Sequence, residues 1–266
     1  MGDTVTNIVL GVVSSAVSAA LAWLAQALLR QRRAERTRRF LGLRHGGDCL
    51  LVTPRHMSGA ERSVSRRDLL ALMELGTLVR ESGARPEVLG HDEVGQELGA
   101  RTEFCVGGPA ANARAAAHLR ALLPGARFHA CEDTSPSPLE IGDRRYEGSR
   151  NSGYALLARI TAGSGGRPTF LISGQLAFAN LAATRYLAAE RDRLARRYGT
   201  DADFCLLLRV SQTDIYGADL VEFVADVTEP ATRRERAGEG GGGHGGGEAA
   251  GPAIPAPASA ESGPPA

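Results

Sequence analysis

The stretch TEFCVGGPAANARAAAHLRALLP, residues 102 to 124, decides the fold. Its beginning, TEFCVG, is a short apolar run typical of a buried strand, and AANARAAAHLRALLP has the alanine and leucine content of a helix. Between the two, Gly107 and Gly108 permit backbone conformations that other residues avoid, and Pro109 suits the first position of a helix. Strand, turn and helix in this order form the repeating unit of an α/β sheet.

The same alternation continues on both sides of this stretch and predicts one Rossmann-like domain over residues 45–229. A three-layer arrangement with a mainly parallel sheet is expected, with antiparallel edge strands from a pair at 139–148 and 152–161 and from a closing hairpin. In this pairing Arg159 is expected to face outward. The expected strands are 48–53, 85–91, 102–107, 126–131, 139–148, 152–161, 167–174, 202–214 and 218–229, and the expected helices are 63–83, 110–124 and 177–198.

The N-terminal segment has the pattern of a membrane anchor. Residues 8–29 contain no charged side chain and are long enough, as a helix, to cross the hydrocarbon core of a bilayer. Arginines crowd residues 30–44, whereas Asp3 is the only charge before the apolar run. The positive-inside rule therefore predicts a single pass of the plasma membrane, with residues 1–7 outside and a basic juxtamembrane linker leading to a cytoplasmic domain. An amphipathic helix buried in an oligomer is the alternative.

The far end and the overall composition exclude several classes of protein. Glycine, proline and alanine dominate residues 230–266, which predicts a disordered tail. The net charge of +1 gives no reason to expect nucleic-acid binding. The four cysteines and six histidines lack ligand spacing, so no metal site is expected, and Cys49, Cys105 and Cys205 fit buried apolar positions in strands.

Candidate binding residues follow the strands, because ligands of open α/β sheets bind beyond the carboxyl ends of the strands. Gly107–Pro109 and the first turn of the next helix offer backbone N–H groups to an anion, and a purely structural corner is the alternative. The other candidate stretches carry hydroxyl, amide, guanidinium or aromatic groups at comparable positions. The candidate residues are Thr53, Arg55, Gly107, Gly108, Pro109, Asn112, Asn151, Tyr154, Gly174 and Asn180.

These motifs resemble those of a family of uncharacterised bacterial α/β domains that are anchored in membranes. That family has a G-G-P-x-x-N turn, matched here by residues 107–112, followed by a strand matched at 151–154 and a glycine-rich turn after a later strand. The chain is also loosely similar to SLOG-type domains, whose glycine-rich turns bind nucleotide-derived ligands. The turn at 174–180 departs from the pattern, since it has Ala177, Ala179 and Asn180 where the family has two glycines and a threonine.

Three functions fit these observations. The first is a membrane-anchored cytosolic module that senses or binds a small anionic, nucleotide-like ligand. The second is a nucleotide-processing hydrolase, for which Asp92, Glu93, Glu132 and Asp133 are the acids near strand ends, although none belongs to a catalytic motif. The third is a non-catalytic scaffold whose tail recruits a protein partner. The sequence identifies no cofactor and no catalytic residue.

Overall fold

A seven-stranded sheet carries the domain, with helices on both of its faces. The computed structural model describes residues 2–56, 63–95, 98–129, 136–163 and 165–234, with side chains from residue 15 onward. The elements are α1 (Gly2–Phe40), β1 (Asp48–Thr53), α2 (Arg66–Glu81), β2 (Arg85–Gly90), β3 (Thr102–Val106), α3 (Ala113–Leu122), β4 (Ala126–Phe128), β5 (Leu139–Ile141), β6 (Arg144–Tyr146), β7 (Gly153–Thr161), β8 (Pro168–Gly174), α4 (Ala177–Arg197), β9 (Phe204–Val210), β10 (Val221–Asp226) and α5 (Thr228–Thr232).

The order of the strands makes the sheet parallel at one end and antiparallel at the other. The order is β10-β9-β7-β8-β3-β1-β2, in which β2, β1, β3 and β8 run parallel and β7, β9 and β10 pair antiparallel. The predicted α/β class is therefore confirmed. The antiparallel strand β7 lies inside the sheet between β8 and β9, however, and not at an edge. Its buried residues explain this position, because an interior strand must be apolar on both faces.

The expected pairing of 139–148 with 152–161 is wrong. Residues 139–146 form a tight hairpin of their own, in which Ile141 pairs with Arg144 across Gly142 and Asp143. Gly142 has a φ of +54°, the left-handed conformation that two-residue hairpin turns require. The hairpin pairs with β4 in a separate three-stranded sheet, and β4 thus lies outside the main sheet.

Two apolar layers bury the main sheet. On one face α2, α4 and the end of α1 cover Cys49, Leu51 and Phe104, and on the other face α3, α5 and the small sheet cover Leu50 and Cys105. The three cysteines expected in strands are buried there with free thiols. Burial raises the pKa of the Cys105 thiol well above its usual value, so it behaves as an apolar side chain.

The helix α1 continues without a break from Gly2 to Phe40 and is about 58 Å long at 1.5 Å per residue. Side chains 15–34 are almost all exposed, whereas Thr37 and Phe40 are buried and Thr37 Oγ1 donates to Asp192 on α4. The expected linker at 30–44 is therefore helix to residue 40 and part of the core beyond it. Within the part of the chain that the structure describes, no helix is both long and apolar enough for a membrane span.

Arg159 fixes the end of α1 to the sheet. The residue is 3% exposed, and its guanidinium donates to the carbonyl oxygens of Phe40, Thr200 and Ala202 at 2.6–3.0 Å. The outward position expected for this side chain is wrong. The residue faces the helical layer, where carbonyl oxygens at the end of α1 and in the loop before β9 accept its N–H groups. Burial lowers the pKa of the Arg159 guanidinium.

The C-terminal boundary of the domain lies beyond the expected one. Residues 228–232 form α5, in which Ala231 is fully buried, and the Ala231 carbonyl accepts the N–H of Gly125. The body thus includes the first residues assigned to the tail. Residues 235–266, the rest of the predicted tail, lie outside the described residues.

Candidate functional site

Three of the predicted loops meet at the carboxyl edge of the parallel strands. The Gly107 N–H donates to Ile172 of β8, and Ser173 Oγ donates to the Gly107 carbonyl at 2.9 Å. A Cβ added to Gly107, which has a φ of +106°, would lie 2.7 Å from Pro54. The ends of β1, β3 and β8 are therefore packed against one another, and Gly107 is required there by both its conformation and its space.

The turn at 107–112 uses its polar groups internally. Asn112 is fully buried and caps α3: its Oδ1 accepts the Ala115 N–H at 3.0 Å, and its Nδ2 donates to the Val106 carbonyl at 2.7 Å. Pro109 lies before this cap and not at the first helical position. Arg55 lies nearby and is exposed, and its backbone N–H donates to the Ala111 carbonyl. Asn112 is thus a structural residue, and Gly108 and Pro109 are the half-exposed members of the turn.

The turn at 174–180 is satisfied in the same way. Asn180 Oδ1 accepts the Gly174 N–H at 2.6 Å, while its Nδ2 donates to Asp68 on α2 at 2.8 Å. The other carboxylate oxygen of Asp68 accepts from Ser65, whose hydroxyl also caps α2. Burial raises the pKa of Asp68, although the hydrogen bonds from Ser65 and Asn180 oppose that effect. Asn180 therefore connects β8 to α2.

The remaining candidate residues lie apart from one another. The Tyr154 ring packs against Tyr146 on the face covered by the small sheet. The backbone N–H of Tyr154 donates to Gln175 Oε1 at 2.8 Å. Thr53 is half-buried, and its hydroxyl donates to the Pro54 carbonyl at 3.5 Å. Asn151 is exposed, and it alone among the ten predicted residues lines the largest cleft described at this edge.

That cleft, which we call the arginine cleft, has a volume of about 940 Å³. It is lined by His56, by the start of α2 (Ser65–Arg67 and Leu70), by the turn Arg150–Asn151, by the start of α4 (Leu176–Phe178 and Leu181), by Arg185 and by most of the loop 213–219. These segments meet because α2 and α4 both begin at the carboxyl edge, and the loop 213–219 follows β9, which runs in the same direction as β8.

The charges around the arginine cleft are incompletely balanced. Arg66, Arg67 and Arg150 are exposed, and none of them forms an ion pair with a residue that the structure describes. By contrast, Arg185 is paired with Glu74 at 2.8 Å and with Asp219. The N-cap residue of α4 is Leu176, whose apolar side chain cannot cap the first N–H groups. The three arginines and the start of α4 thus line the same cleft, together with the carboxylates of Asp214 and Asp219.

The sequence contains one local signal for this cleft. Arg66 and Arg67 occupy the first turn of α2, the positive end of the helix dipole, where acidic residues are favoured. Asp68 is in the same turn, but it is buried and accepts hydrogen bonds from Ser65 and Asn180, so the two exposed arginines remain an unfavourable pair of cations there. Arg150 precedes a predicted strand, and nothing in the sequence brings it to α2.

A second polar cluster is buried beneath α3. Glu103, which is 1% exposed, accepts from His118 Nε2 at 2.7 Å and from Arg114 at 2.9 Å. Burial alone would raise the pKa of Glu103, but the hydrogen bonds and charges of His118 and Arg114 hold it below its usual value. The ligand atoms of Glu103, Cys105 and His118 lie within 4.8 Å of one another and could hold a metal ion. The Arg114 guanidinium on the same carboxylate disfavours a cation there.

Of the four acids considered for a hydrolase, the structure describes Asp92 and Glu93. Asp92 and Glu93 follow β2, where Glu93 Oε2 accepts the Gly90 N–H at 3.0 Å in a local turn. Glu132 and Asp133 lie outside the described residues. Comparisons with protein-family models, with curated proteins and with solved structures found no match for this chain.

Proposed function

We propose that this chain is a binding module for a small anionic, nucleotide-like ligand, and that the arginine cleft is its site. The observation that carries the proposal is the convergence of Arg66, Arg67 and Arg150 without acidic partners among the described residues. A guanidinium binds phosphate oxygens through paired N–H groups, which makes arginine the preferred side chain for phosphate recognition. A ligand with phosphate groups would neutralise these charges.

The size and the apolar part of the cleft favour a ligand larger than a phosphate ion. Its volume of about 940 Å³ lies near the upper end of the range for small-molecule sites. Leu70, Leu176, Phe178 and Leu181 supply apolar surface beside the arginines. A nucleotide has both a phosphate group and a planar apolar face, so it complements both halves of the cleft.

Isothermal titration of the purified chain with nucleoside diphosphates tests this function. We expect binding that weakens as salt is raised, and a loss of about tenfold or more in affinity for the double variant Arg67→Gln, Arg150→Gln. Arg120→Gln provides the matched control, because Arg120 is an exposed arginine at the end of α3 that does not line the cleft.

Three outcomes would count against the site. Unchanged affinity in the double variant would place the ligand elsewhere, and the absence of heat with every nucleotide, in a folded chain, would remove the function itself. Equal losses in the double variant and in Arg120→Gln would indicate a nonspecific charge effect.

We also propose that α1 anchors this module in a membrane with the domain on the cytoplasmic side. What supports this part is the uncharged run at 8–29 followed by arginines, together with the exposure of large apolar side chains on the helix. Those side chains are Val17, Leu21, Trp23, Leu24, Leu28 and Leu29, which are 49–71% exposed. So many exposed apolar side chains indicate that this part of the helix is buried against an apolar partner, and the lipid tails of a bilayer are such a partner.

Extraction of membranes from expressing cells with alkaline carbonate tests the anchor. A spanning helix keeps the chain in the pellet, and replacing Leu21 and Leu24 with arginine moves it to the supernatant. The matched control replaces the exposed Leu69 and Met73 of α2 with arginine. A wild-type chain that is extracted by carbonate contradicts the anchor and leaves the ligand proposal untouched.

A further inference from the structure

We infer that the nucleotide-like ligand of the arginine cleft carries a guanine base, which Asp214 recognises. This inference rests on the proposed function, since it specifies the ligand of the same site. It starts from the two carboxylates of the loop 213–219, which differ in their partners. Asp219 is paired with Arg185, whereas Asn151 Nδ2, at 3.4 Å, is the one donor to Asp214 among the described residues.

Asp214 is exposed and lines the same cleft as the three arginines. An exposed carboxylate that is not bound to a guanidinium is available to accept hydrogen bonds from a ligand. Here Asp214 and Arg150 both line the cleft, yet no ion pair joins them among the described residues. Thr213 Oγ1 donates to the Arg150 carbonyl at 3.5 Å, so Arg150 lies beside this loop, whereas Arg66 and Arg67 belong to α2. The cleft thus offers a carboxylate acceptor on the loop 213–219 in addition to its arginines.

Among the common bases, guanine is the best hydrogen-bond partner for such a carboxylate. Guanine presents two neighbouring donors, N1–H and the N2 amino group, on its Watson–Crick edge, and a carboxylate accepts both at once. Adenine presents an acceptor at N1, which a carboxylate repels. Hypoxanthine has the N1–H but lacks the amino group. Asn151, next to Asp214, adds an amide that can donate to a ring carbonyl oxygen.

The rest of the cleft supplies what the other parts of a guanine nucleotide need. Tyr216 lines the cleft two residues after Asp214, and its ring is 54% exposed. An exposed aromatic ring provides a stacking surface for a base. Arg66 and Arg67 belong to α2 and not to this loop, so phosphates and base would occupy different sides of the same cleft.

Titration of the full chain with guanosine, inosine and adenosine 5′-diphosphates tests the inference. We expect guanosine diphosphate to bind about 10- to 100-fold more tightly than inosine diphosphate, and adenosine diphosphate to bind most weakly. All three carry the same phosphates, so the order reports the base alone.

Asp214→Asn sharpens the test, because it changes one acceptor into a donor with little change in shape. The variant should lose its preference for guanosine diphosphate and gain affinity for xanthosine diphosphate, whose N1–H and O2 match the amide. Asp143→Asn is the control, since Asp143 is an exposed acid in the turn between β5 and β6, away from the cleft.

The outcomes separate this inference from the function on which it rests. Equal binding of the three nucleotides, with Asp214→Asn unchanged, overturns the guanine assignment and leaves the anion site in place. No binding of any nucleotide by the folded chain overturns both. A shift toward xanthosine diphosphate in Asp214→Asn, absent in Asp143→Asn, supports the assignment.

Discussion

The turn at 107–112 and the arginine cleft lie at the same carboxyl edge of the sheet, but they differ in how their polar groups are satisfied. In the turn, both ends of the Asn112 amide are hydrogen-bonded to the backbone and the side chain is fully buried. In the cleft, Arg66, Arg67 and Arg150 are exposed and have no acidic partner in the described part of the chain. The polar groups of the turn are hydrogen-bonded within the protein and stabilise the fold, whereas the exposed arginines of the cleft are available to bind an anion.

The difference shows why glycines and asparagines after a strand do not by themselves indicate a binding site. Gly107 is required by its left-handed φ and by the nearness of Pro54, and Asn180 is required by the Gly174 N–H and by Asp68. These requirements come from packing three strand ends together. Substitutions that separate stability from binding can break or confirm this division.

The largest effect is expected for Glu103→Gln on the packed side. The substitution leaves Arg114 next to a neutral group in a buried place, and we expect a loss of about 3–5 kcal/mol in the free energy of unfolding at pH 7. Urea unfolding measures it. Glu87→Gln is the control, because its pair with Arg101 is exposed and contributes about 0–1 kcal/mol.

Acid should reduce that difference. The folded pKa of Glu103 is lower than its ordinary value of 4.5, so its contribution is present above that pH and is lost as the pH falls through the folded pKa. The wild-type chain should therefore approach the variant in stability as the pH falls below about 4.5. A constant difference down to the lowest pH at which both chains fold would contradict this role.

The next effect compares two asparagines at the same edge. Asn180→Ala leaves the buried Gly174 N–H and one Asp68 oxygen unpaired, and we expect a loss of about 2–4 kcal/mol in stability with nucleotide affinity unchanged. Asn151→Ala, at an exposed position, should change stability by less than about 0.5 kcal/mol and weaken nucleotide binding about two- to tenfold. Denaturant unfolding and calorimetric titration of both variants give the comparison. The reverse pattern would mean that Asn180 belongs to the binding site and that Asn151 stabilises the fold.

The smallest effect is expected for Arg66→Gln, which should raise stability but weaken nucleotide binding. Arg66→Gln removes a cation from the positive end of α2 and should raise stability by about 0.3–1 kcal/mol. The same substitution should weaken nucleotide binding. Thermal unfolding and titration of one sample measure both, and Arg120→Gln, at the favourable end of α3, should show neither gain nor weakened binding. A loss of stability in Arg66→Gln would mean that the arginine is a structural residue.

The sequence was sufficient for the parts of the fold that depend on neighbouring residues. Strand β3, its turn and the helix α3 could be predicted from residues 102–124, because apolar runs and helix caps are local features. The place of β7 and the separate hairpin at 139–146 could not, because the pairing of strands depends on residues far apart in the chain.

The cleft was beyond sequence reasoning for the same reason. Its walls come from residues near 66, 150, 176 and 214, which only the sheet order brings together. The adjacent arginines at the start of α2 were the one local signal. They are recognisable as unusual once the helix boundary at Ser65 is known.

A crystal structure of the chain with guanosine diphosphate tests the central claim most directly, which is that the cleft and not the glycine turn binds the anion. We predict that the phosphate oxygens lie within hydrogen-bond distance of Arg66, Arg67 or Arg150. Phosphates bound to the backbone N–H groups of residues 108–111 would contradict the account.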